Sequence, residues 1–305
     1  MIYDVIIIGS GPAGLAAAIY AQRSELNNIV IEKTGFSGGQ IINTYEVDNY
    51  PGTPGISGFD LSAKFREHCD RLNTTFITGE VIDFKLENDI KLVTLDDGSQ
   101  YRSKAVVIAT GGSPRHLNVP GEDKFSGLGI SYCATCDGAF YKGRTVAVVG
   151  GGDVAVEDAI FLSRIAEKVY VIHRRDEFRA LKSSANKLLS LDNVTVLWDS
   201  VVEGINGSET VESLDIKNVK TDEKSNIEVA GVFIAVGYIP SSQVYKDILA
   251  TDEQGYIIAG ESCETNVPGI FAAGDIRTKD LRQIITAASD GANAITGVER
   301  YLNNI

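Results

Sequence analysis

Two cysteines, Cys133 and Cys136, are spaced two residues apart in the segment SYCATCDGAF, and Asp137 follows directly. Such a pair can contribute to a zinc site, form a structural disulfide, pack in an apolar corner or work as a redox couple. Zinc needs about four ligands, and neither Cys69 nor Cys263 nor the three histidines supplies a second CxxC spacing. A structural disulfide over so short a loop restrains the unfolded chain little. The surrounding sequence must decide what the pair does.

The chain contains one strand–turn–helix–strand pattern twice. Residues 5–32 and 146–173 align without a gap when they are offset by 141 positions (146 minus 5). Each copy carries the fingerprint GxGxxG/A, in which the first glycine allows a tight turn and the second lets the backbone approach a pyrophosphate. The third position is small so that helix and strand can pack. The matched residues are Gly9 and Gly150, Gly11 and Gly152, and Gly14 and Ala155.

The end of the second strand distinguishes the two expected ligands. Glu32 closes the first copy, and a carboxylate there accepts a hydrogen bond from a ribose 2′-hydroxyl and repels a 2′-phosphate. His173 takes that place in the second copy and is followed by Arg174, Arg175 and Arg179. Guanidinium groups suit a dianionic 2′-phosphate. The first copy therefore predicts a site for FAD or NAD, and the second a site for NADPH.

Two glycine- and proline-containing stretches enclose the second copy. Residues 109–121 and 235–242 each follow an apolar strand and have the composition of crossings between domains. After them come a strand that ends in Ala273-Gly274-Asp275 and a helical pattern over residues 281–302. The chain is thus expected to have one discontinuous domain, residues 1–113 and 242–305, with a second domain, residues 114–241, inserted in it.

Composition limits the classes of partner. The chain has 305 residues, of which 44% are hydrophobic and 23% charged, and its net charge is −13. An acidic chain repels phosphate backbones, which argues against nucleic acid, and it lacks the basic patches that bind anionic membranes. The apolar N-terminal stretch lacks a basic flank and is interrupted by a glycine turn, so it predicts a buried strand and helix. Four cysteines do not make a disulfide scaffold, and the expected setting is a reducing cytoplasm.

Further motifs carry a resemblance to a known family. They are GGQI at 38–41, EVDNYPG at 46–52, CATCD at 133–137, HRRDEFR at 173–179 and LRQIITAASDG at 281–291. With the two fingerprints and the strand ending in Asp275, the chain resembles the low-molecular-weight thioredoxin reductases of bacteria from about residue 2 to residue 302. The resemblance implies an α/β fold of two Rossmann-like domains of the three-layer ββα type, with the NADPH domain inserted in the FAD domain.

The resemblance also implies which residues contact each cofactor. The expected FAD residues are Gly9, Gly11, Pro12, Ala13, Glu32, Lys33, Gly39, Gln40, Asn49, Val81, Ala109, Gly274, Asp275, Arg282, Gln283 and Ile284. The expected NADPH residues are Gly151, Gly152, Asp153, Val154, Ala155, His173, Arg174, Arg175 and Arg179. Asp275 could equally cap a helix. Val154 and Ser241 depart from the family pattern, where a hydroxyl residue and an asparagine are common.

The implied activity is reduction of thioredoxin. Electrons pass from NADPH through FAD to the Cys133–Cys136 disulfide, and Cys133 then exchanges with the disulfide of thioredoxin. Cys136 is expected to face flavin C4a, and Asp137 to act as an acid–base catalyst. The sequence CDG is also typical of a turn, which is the alternative role of Asp137. The resemblance further implies a homodimer. The inserted domain is expected to swivel about the two crossings, so that its nicotinamide and its disulfide reach the flavin in turn.

Other functions remain open at this stage. A dithiol oxidase that passes electrons to O₂, or a reductase that draws them from ferredoxin, would not need Arg174, Arg175 and Arg179. A flavin-containing redox sensor would have no use for an exchange pair. A peroxide-reductase flavoprotein would need an added N-terminal thiol domain, and here the first strand is expected at residue 3.

Overall fold

The computed structural model describes residues 1–44 and 46–305 and divides into two compact units. Unit 1 comprises Met1–Ser113 and Ile239–Ile305, and unit 2 comprises Pro114–Tyr238. The second boundary lies at Ile239, whereas the sequence predicts residue 242. Tyr238–Pro240 forms a short strand that pairs with Gly112–Pro114 at the crossing. The assignment of one nucleotide to each unit stays a prediction.

The strands are β1 Ile2–Ile8, β2 Asn28–Glu32, β3 Thr75–Thr78, β4 Val81–Glu87, β5 Ile90–Leu95, β6 Gln100–Ile108, β7 Gly112–Pro114, β8 Ile130–Ser131, β9 Thr145–Gly150, β10 Lys168–Ile172, β11 Val194–Leu197, β12 Ser200–Asn206, β13 Ser213–Asn218, β14 Lys224–Glu228, β15 Gly231–Ala235, β16 Tyr238–Pro240 and β17 Ile270–Ala272. The α-helices are α1 Pro12–Arg23, α2 Gly58–Arg71, α3 Ala134–Asp137, α4 Asp153–Ser163, α5 Lys182–Leu189 and α6 Ile284–Leu302. Short 3-10 turns span Gly39–Asn43, Gly138–Tyr141, Gln243–Tyr245 and Gly274–Ile276.

Unit 1 is built on a mixed sheet with the strand order β3-β2-β1-β6-β5-β4, to which β17 adds on β6. Strands β1, β2, β3, β6 and β17 run parallel, and β4, β5 and β6 form an antiparallel meander. Strand β1 is buried on both faces: Val5 and Ile7 pack against α1 and α6, whereas Ile6 and Ile8 pack toward the opposite face with Tyr245. Apolar residues on both faces are typical of a parallel sheet covered on both sides.

Unit 2 has a parallel sheet in the order β11-β10-β9-β15-β8 and a separate antiparallel sheet β12-β13-β14. Val146 and Val148 of β9 pack against α4, while Ala147 and Val149 pack toward the antiparallel sheet. The unit therefore has three layers, sheet, sheet and helix. The predicted fold class, two Rossmann-like domains with one inserted in the other, is confirmed.

In residues 1–44 and 46–305, no helix combines the length and the apolar character that crossing a bilayer requires.

Asp158 on α4 provides a test of the packing in unit 2. Burial, followed by the charge of Glu157, raises its pKa from 3.8 to about 7. Because the folded state holds the proton more tightly than the unfolded chain, stability falls as pH rises from about 4 to about 7. We expect D158N to raise the free energy of unfolding by about 1–3 kcal/mol at pH 8 and by much less at pH 4.5.

The measurement is urea unfolding at both pH values, followed by the fluorescence of Trp198, the only tryptophan of the chain, which lies in unit 2. D192N, which changes an exposed carboxylate of the same unit, is the control and should leave stability unchanged at both pH values. An equal gain for D158N at both pH values would contradict the titration of Asp158.

Candidate functional site

The turn after β1 is shaped by close backbone approach. Gly9 has φ +103°, and a Cβ there would lie 2.4 Å from the carbonyl oxygen of Ala109. A Cβ at Gly14 would lie 1.8 Å from the carbonyl oxygen of Gly9, so α1 packs this closely on the turn only because residue 14 is glycine. In contrast, nothing lies within 4 Å of the Cβ position of Gly11, the N-cap of α1, which begins at Pro12. This leaves open space at a helix N-terminus, where a phosphate can be held.

The carboxylate of Glu32 is fixed at the end of β2. Its Oε2 accepts hydrogen bonds from the backbone N–H of Ser10, at 2.9 Å, and from the Ser10 hydroxyl. Its Oε1 accepts from the N–H of Thr34 at 3.2 Å. Lys33 is exposed and pairs with Glu80 at 2.8 Å between Nζ and Oε1. The carboxylate is thereby oriented beside the glycine turn, as a ribose site requires. The sequence pattern does not predict this role of Ser10, because Ser10 is the variable residue between the two fingerprint glycines.

Other expected FAD residues gather around the same turn. A Cβ at Gly39 would lie 3.4 Å from the Cα of Gly11, and one at Gly274 would lie 2.9 Å from the Cβ of Ala13. Asn49 donates from Nδ2 to Oε1 of Gln283 at 2.9 Å across 234 positions of sequence. The remaining members lie at the ends of elements or on turns: Ala109 just after β6, Val81 at the start of β4, Gln40 on the 3-10 turn and Ile284 at the start of α6.

Two buried polar atoms lack partners in this region. Asp275 Oδ1 and Arg282 Nε make no hydrogen bond with any described residue. Burial raises the pKa of Asp275, and the charges of Lys279 and Arg282 oppose that rise. The Arg282 guanidinium lies 4.0 Å over the ring of Tyr256, which fixes its plane. Buried polar groups are almost always satisfied, so a ligand with hydroxyl or carbonyl groups fits here. The donors and acceptors present therefore fit the ribityl chain and ring of FAD.

A buried carboxylate holds this region together. Asp290 on α6 accepts through Oδ2 from the N–H of Gly274 at 2.8 Å, from Arg277 Nε at 2.9 Å and from Lys279 Nζ at 2.8 Å. Its Oδ1 accepts from Arg277 Nη2 at 2.7 Å. Burial alone would raise the pKa of Asp290, but the hydrogen bonds from Arg277 and Lys279 outweigh it and lower the pKa. Asp290 belongs to the motif at residues 281–291, but the sequence does not indicate its role.

The second glycine turn repeats the first in unit 2. A Cβ at Gly150 would lie 2.3 Å from the carbonyl oxygen of Ala235, whereas the Cβ position of Gly152, the N-cap of α4, has nothing within 4 Å. Ala155 is fully buried behind the turn, and Val154 is exposed. Asp153 accepts the N–H of Leu181 through Oδ1 at 2.8 Å. The turn again leaves space for a phosphate at a helix N-terminus.

His173 lies inside unit 2 rather than on its surface. It is 5% exposed, its ring is stacked on Phe178 and edge-on to Trp198, and its Nε2 lies 3.0 Å from the carbonyl oxygen of Glu177. A Cβ at Gly151 would lie 2.2 Å from this ring, which explains that glycine. Burial lowers the pKa of His173, and the charges of the three arginines nearby lower it further.

The arginines expected to bind the 2′-phosphate surround this histidine and are exposed, namely Arg174, Arg175 and Arg179. The structure thus brings together three cations at the end of β10. Direct contact of His173 with the nucleotide stays a prediction. The packing of the His173 ring suits it to support the backbone of residues 174–179, which we call the arginine segment.

Cys133 and Cys136 form a disulfide with a Cα–Cα distance of 5.3 Å. Cys133 is the N-cap of the one-turn helix α3, and both cysteines are half-buried. Burial raises the pKa of Asp137, while a hydrogen bond from Ser131 lowers it. By contrast, burial raises the pKa of both Cys69 and Cys263 to about 12, which disfavours their reactive thiolate forms. The redox role of Cys133 and Cys136 stays a prediction.

Comparison with known proteins gives the same picture over the full chain. Residues 3–291 match the sequence profile of the family described as pyridine nucleotide-disulphide oxidoreductase. The chain is 44% identical to a thioredoxin reductase of Peptoclostridium acidaminophilum, over 99% of this chain and 97% of that protein. It is 43% identical to a bifunctional thioredoxin reductase/thioredoxin of Mycobacterium leprae, over 99% of this chain and 66% of that protein. The crystal structure of a Streptococcus pyogenes thioredoxin reductase superposes with a TM-score of 0.94 at 46% identity, covering 100% and 99% of the two chains.

Asp290 is predicted to control FAD binding. D290N leaves Arg277 and Lys279 buried without their anion, which is costly, and it weakens the acceptor for the Gly274 N–H. We expect the dissociation constant for FAD to rise at least about 10-fold, because this loss corresponds to more than about 1.4 kcal/mol. Titration of the apoprotein with FAD, followed by flavin fluorescence, measures it.

The matched control is D280N, which changes an exposed carboxylate on the same segment. Removing the cation as well, in R277Q/D290N, should recover part of the affinity. Unchanged FAD affinity in D290N would show that the cluster has no part in cofactor binding.

The arginine segment predicts a preference for NADPH over NADH. R174A and R175A should each raise the KM for NADPH roughly 10- to 100-fold, since a hydrogen bond to a charged group contributes about 1.5–3 kcal/mol. The KM for NADH should change less than about twofold, because NADH has no 2′-phosphate. R164A, at the far end of α4, is the control. Equal losses with both nucleotides would argue against a phosphate contact.

Proposed function

We propose that this chain, which belongs to the pyridine nucleotide-disulphide oxidoreductase family, is an NADPH-dependent thioredoxin-disulfide reductase. The cofactors are FAD and NADPH, as the family and the relatives imply. The observation that carries the proposal is the disulfide of Cys133 and Cys136, which lies in the same unit as the arginine segment. A short CxxC pair keeps its two sulfurs together in both redox states, which suits repeated opening and closing.

The chemistry of the bound cofactors is the supply of two electrons to this disulfide. In unit 1, Glu32 orients a ribose, and Asp275 and Arg282 offer unsatisfied polar atoms to the flavin. In unit 2, the open N-terminus of α4 holds the pyrophosphate of NADPH, and Arg174 and Arg175 hold its 2′-phosphate.

The cysteines then pass the electrons on by exchange. The Cys133 thiolate attacks one sulfur of the thioredoxin disulfide, which forms a mixed disulfide and releases the other sulfur as a thiolate. The Cys136 thiolate attacks Cys133, closes the intramolecular disulfide and releases the second sulfur. Two electrons thereby reach the partner, and its two departing thiolates take up one proton each, the first from Asp137 and the second from solvent. Asp137 follows Cys136 directly, and burial raises its pKa, which favours the protonated form that can donate to the first leaving thiolate.

We further propose that unit 2 reorients between the half-reactions. The arginine segment and the cysteine pair both belong to unit 2, while the FAD residues belong to unit 1. The crossings contain Gly111, Gly112, Pro114, Gly237 and Pro240, residues suited to act at hinges. The active form is a homodimer in a reducing cytoplasm, where thioredoxin and NADPH are both available.

A relative whose name joins the two proteins supports thioredoxin as the partner. The Mycobacterium leprae protein is described as a bifunctional thioredoxin reductase/thioredoxin, and this chain matches only 66% of its length. Fusion of a reductase to thioredoxin is expected if the CxxC pair of the reductase passes its electrons to thioredoxin. An O₂-dependent oxidase or a ferredoxin-dependent reductase is disfavoured, because neither needs the arginine segment.

NADPH should bleach the flavin absorbance of the anaerobic protein at a concentration at least about 10-fold lower than NADH does. With thioredoxin present, NADPH oxidation should become catalytic. C133S and C136S should each retain bleaching and lose at least about 10³-fold in thioredoxin turnover, because exchange needs both sulfurs.

Stopped-flow absorbance follows flavin bleaching, and NADPH consumption follows turnover. C69S, which changes a buried cysteine away from the pair, is the control and should keep turnover. Absence of bleaching by either nucleotide, or full turnover in C133S, would refute the proposal.

A further inference from the structure

Ser131 lies at the point where the cysteine pair and its acid meet. It ends strand β8 in unit 2 and is 4% exposed. The backbone N–H of Cys133 donates to Ser131 Oγ at 3.0 Å, and Ser131 Oγ lies 2.5 Å from Asp137 Oδ2. The carbonyl oxygen of Cys133 is a second acceptor at 3.2 Å. One hydroxyl therefore contacts both the backbone of a redox cysteine and the carboxyl group beside the pair.

The hydroxyl is satisfied whether or not Asp137 carries a proton. When Asp137 is ionised, the single Ser131 hydrogen is donated to the carboxylate, its shorter contact. When Asp137 is protonated, its O–H can donate to Ser131 Oγ, and the Ser131 hydrogen can turn to the Cys133 carbonyl. The two lone pairs of Oγ then accept from Asp137 and from the Cys133 N–H. No buried polar group is left unpaired in either state, so proton exchange avoids that penalty.

We propose that Ser131 is a positioning residue for proton transfer in thiol–disulfide exchange, holding Asp137 against the Cys133 backbone in both of its protonation states. The inference rests on the proposed function. In the step it serves, the Cys133 thiolate forms a bond to one partner sulfur while the partner S–S bond breaks, and the proton of Asp137 moves to the departing thiolate. Asp137 is left as a carboxylate, which accepts the Ser131 hydrogen, and it is later reprotonated from solvent.

Few other titratable groups face Asp137. The 3-10 turn Gly138–Tyr141 brings Tyr141, whose pKa is raised by burial and by the Asp137 charge, with Arg144 acting in the opposite direction. Helix α4 packs on α3 and carries Asp158, whose pKa reflects burial and Glu157. The pKa of Asp137 itself is set by burial, which raises it, and by Ser131, which lowers it. Removing the Ser131 hydroxyl therefore moves this pKa upward.

The test is the pH dependence of kcat/KM for thioredoxin in wild type, S131A, S131T and D137N. The limb of the profile that belongs to Asp137 is the one that D137N abolishes. In S131A we expect that limb to move to higher pH by about one unit, since the carboxylate loses a charge-assisted hydrogen bond. S131T keeps the hydroxyl and should keep the limb in place. In S131A/D137N the serine change should add no shift, because its effect passes through Asp137.

D158N is the matched control, because it removes the other carboxyl group of unit 2 with a raised pKa and should leave the S131A shift intact. The flavin spectrum and the melting temperature of each variant show whether it is folded. A rate loss in S131A that is equal at every pH, or a limb that does not move, overturns the inference and assigns Ser131 a purely structural role.

A second arm separates this inference from the proposed function. The holoenzyme is reduced with dithiothreitol, desalted and mixed with 2-hydroxyethyl disulfide, a generic alkyl disulfide whose departing thiolate is basic enough to take up a proton, and the released thiol is measured over the same pH range. A shift in S131A here, without any turnover of thioredoxin, upholds the role of Ser131 and refutes thioredoxin as the partner. Turnover of thioredoxin without a shift in either arm upholds the function and overturns the role of Ser131.

Discussion

The site in unit 1 depends on backbone contacts that are too close for any side chain. The Cβ position of Gly14 is 1.8 Å from the carbonyl oxygen of Gly9, and that of Gly291 is 2.1 Å from the carbonyl oxygen of Ala13. Helix α1 is thus held between strand β1 and helix α6 by glycines on both sides. The first contact aims the N-terminus of α1 at the open space above Gly11. The second brings the residue before Gly291, Asp290, to the N–H of Gly274.

Local spacing predicts the two glycine turns, each with a helix N-terminus behind it, and the acid at the end of β2, and the structure contains all of these. The role of Asp275 and most of the other FAD residues came from the family resemblance, and their contact with a cofactor stays a prediction. Partner choice across the fold was not predictable. The contacts of Asp290 with Arg277, of Tyr256 with Arg282 and of Ser131 with Asp137 join separate elements, and no periodicity identifies which polar side chains will meet.

The position of His173 in the chain is predictable, but the direction of its side chain is not. The alignment of the two copies places it at the end of a strand, as it places Glu32, and the structure agrees. The direction of the side chain is decided by packing instead. Gly151 leaves room for an imidazole, and Phe178 and Trp198 offer aromatic faces, so the ring turns inward. Sequence position identifies the segment, while burial decides which of its members can touch a ligand.

The charge pattern of this segment bears on the choice between a nucleotide-driven reductase and an oxidase. The chain as a whole carries a net charge of −13, so a cluster of cations needs a local reason. Asp176, one of the two acids in the segment, pairs with Lys220 at 2.9 Å rather than with the arginines beside it. Lys220 also lies 3.0 Å from Asp199. Because Asp176 and Asp199 share this lysine as their partner, neither is paired with an arginine of the segment in these contacts, which favours a dianion as the partner of the arginines. A dithiol oxidase gains nothing from that arrangement, whereas an enzyme that takes its electrons from NADPH requires it.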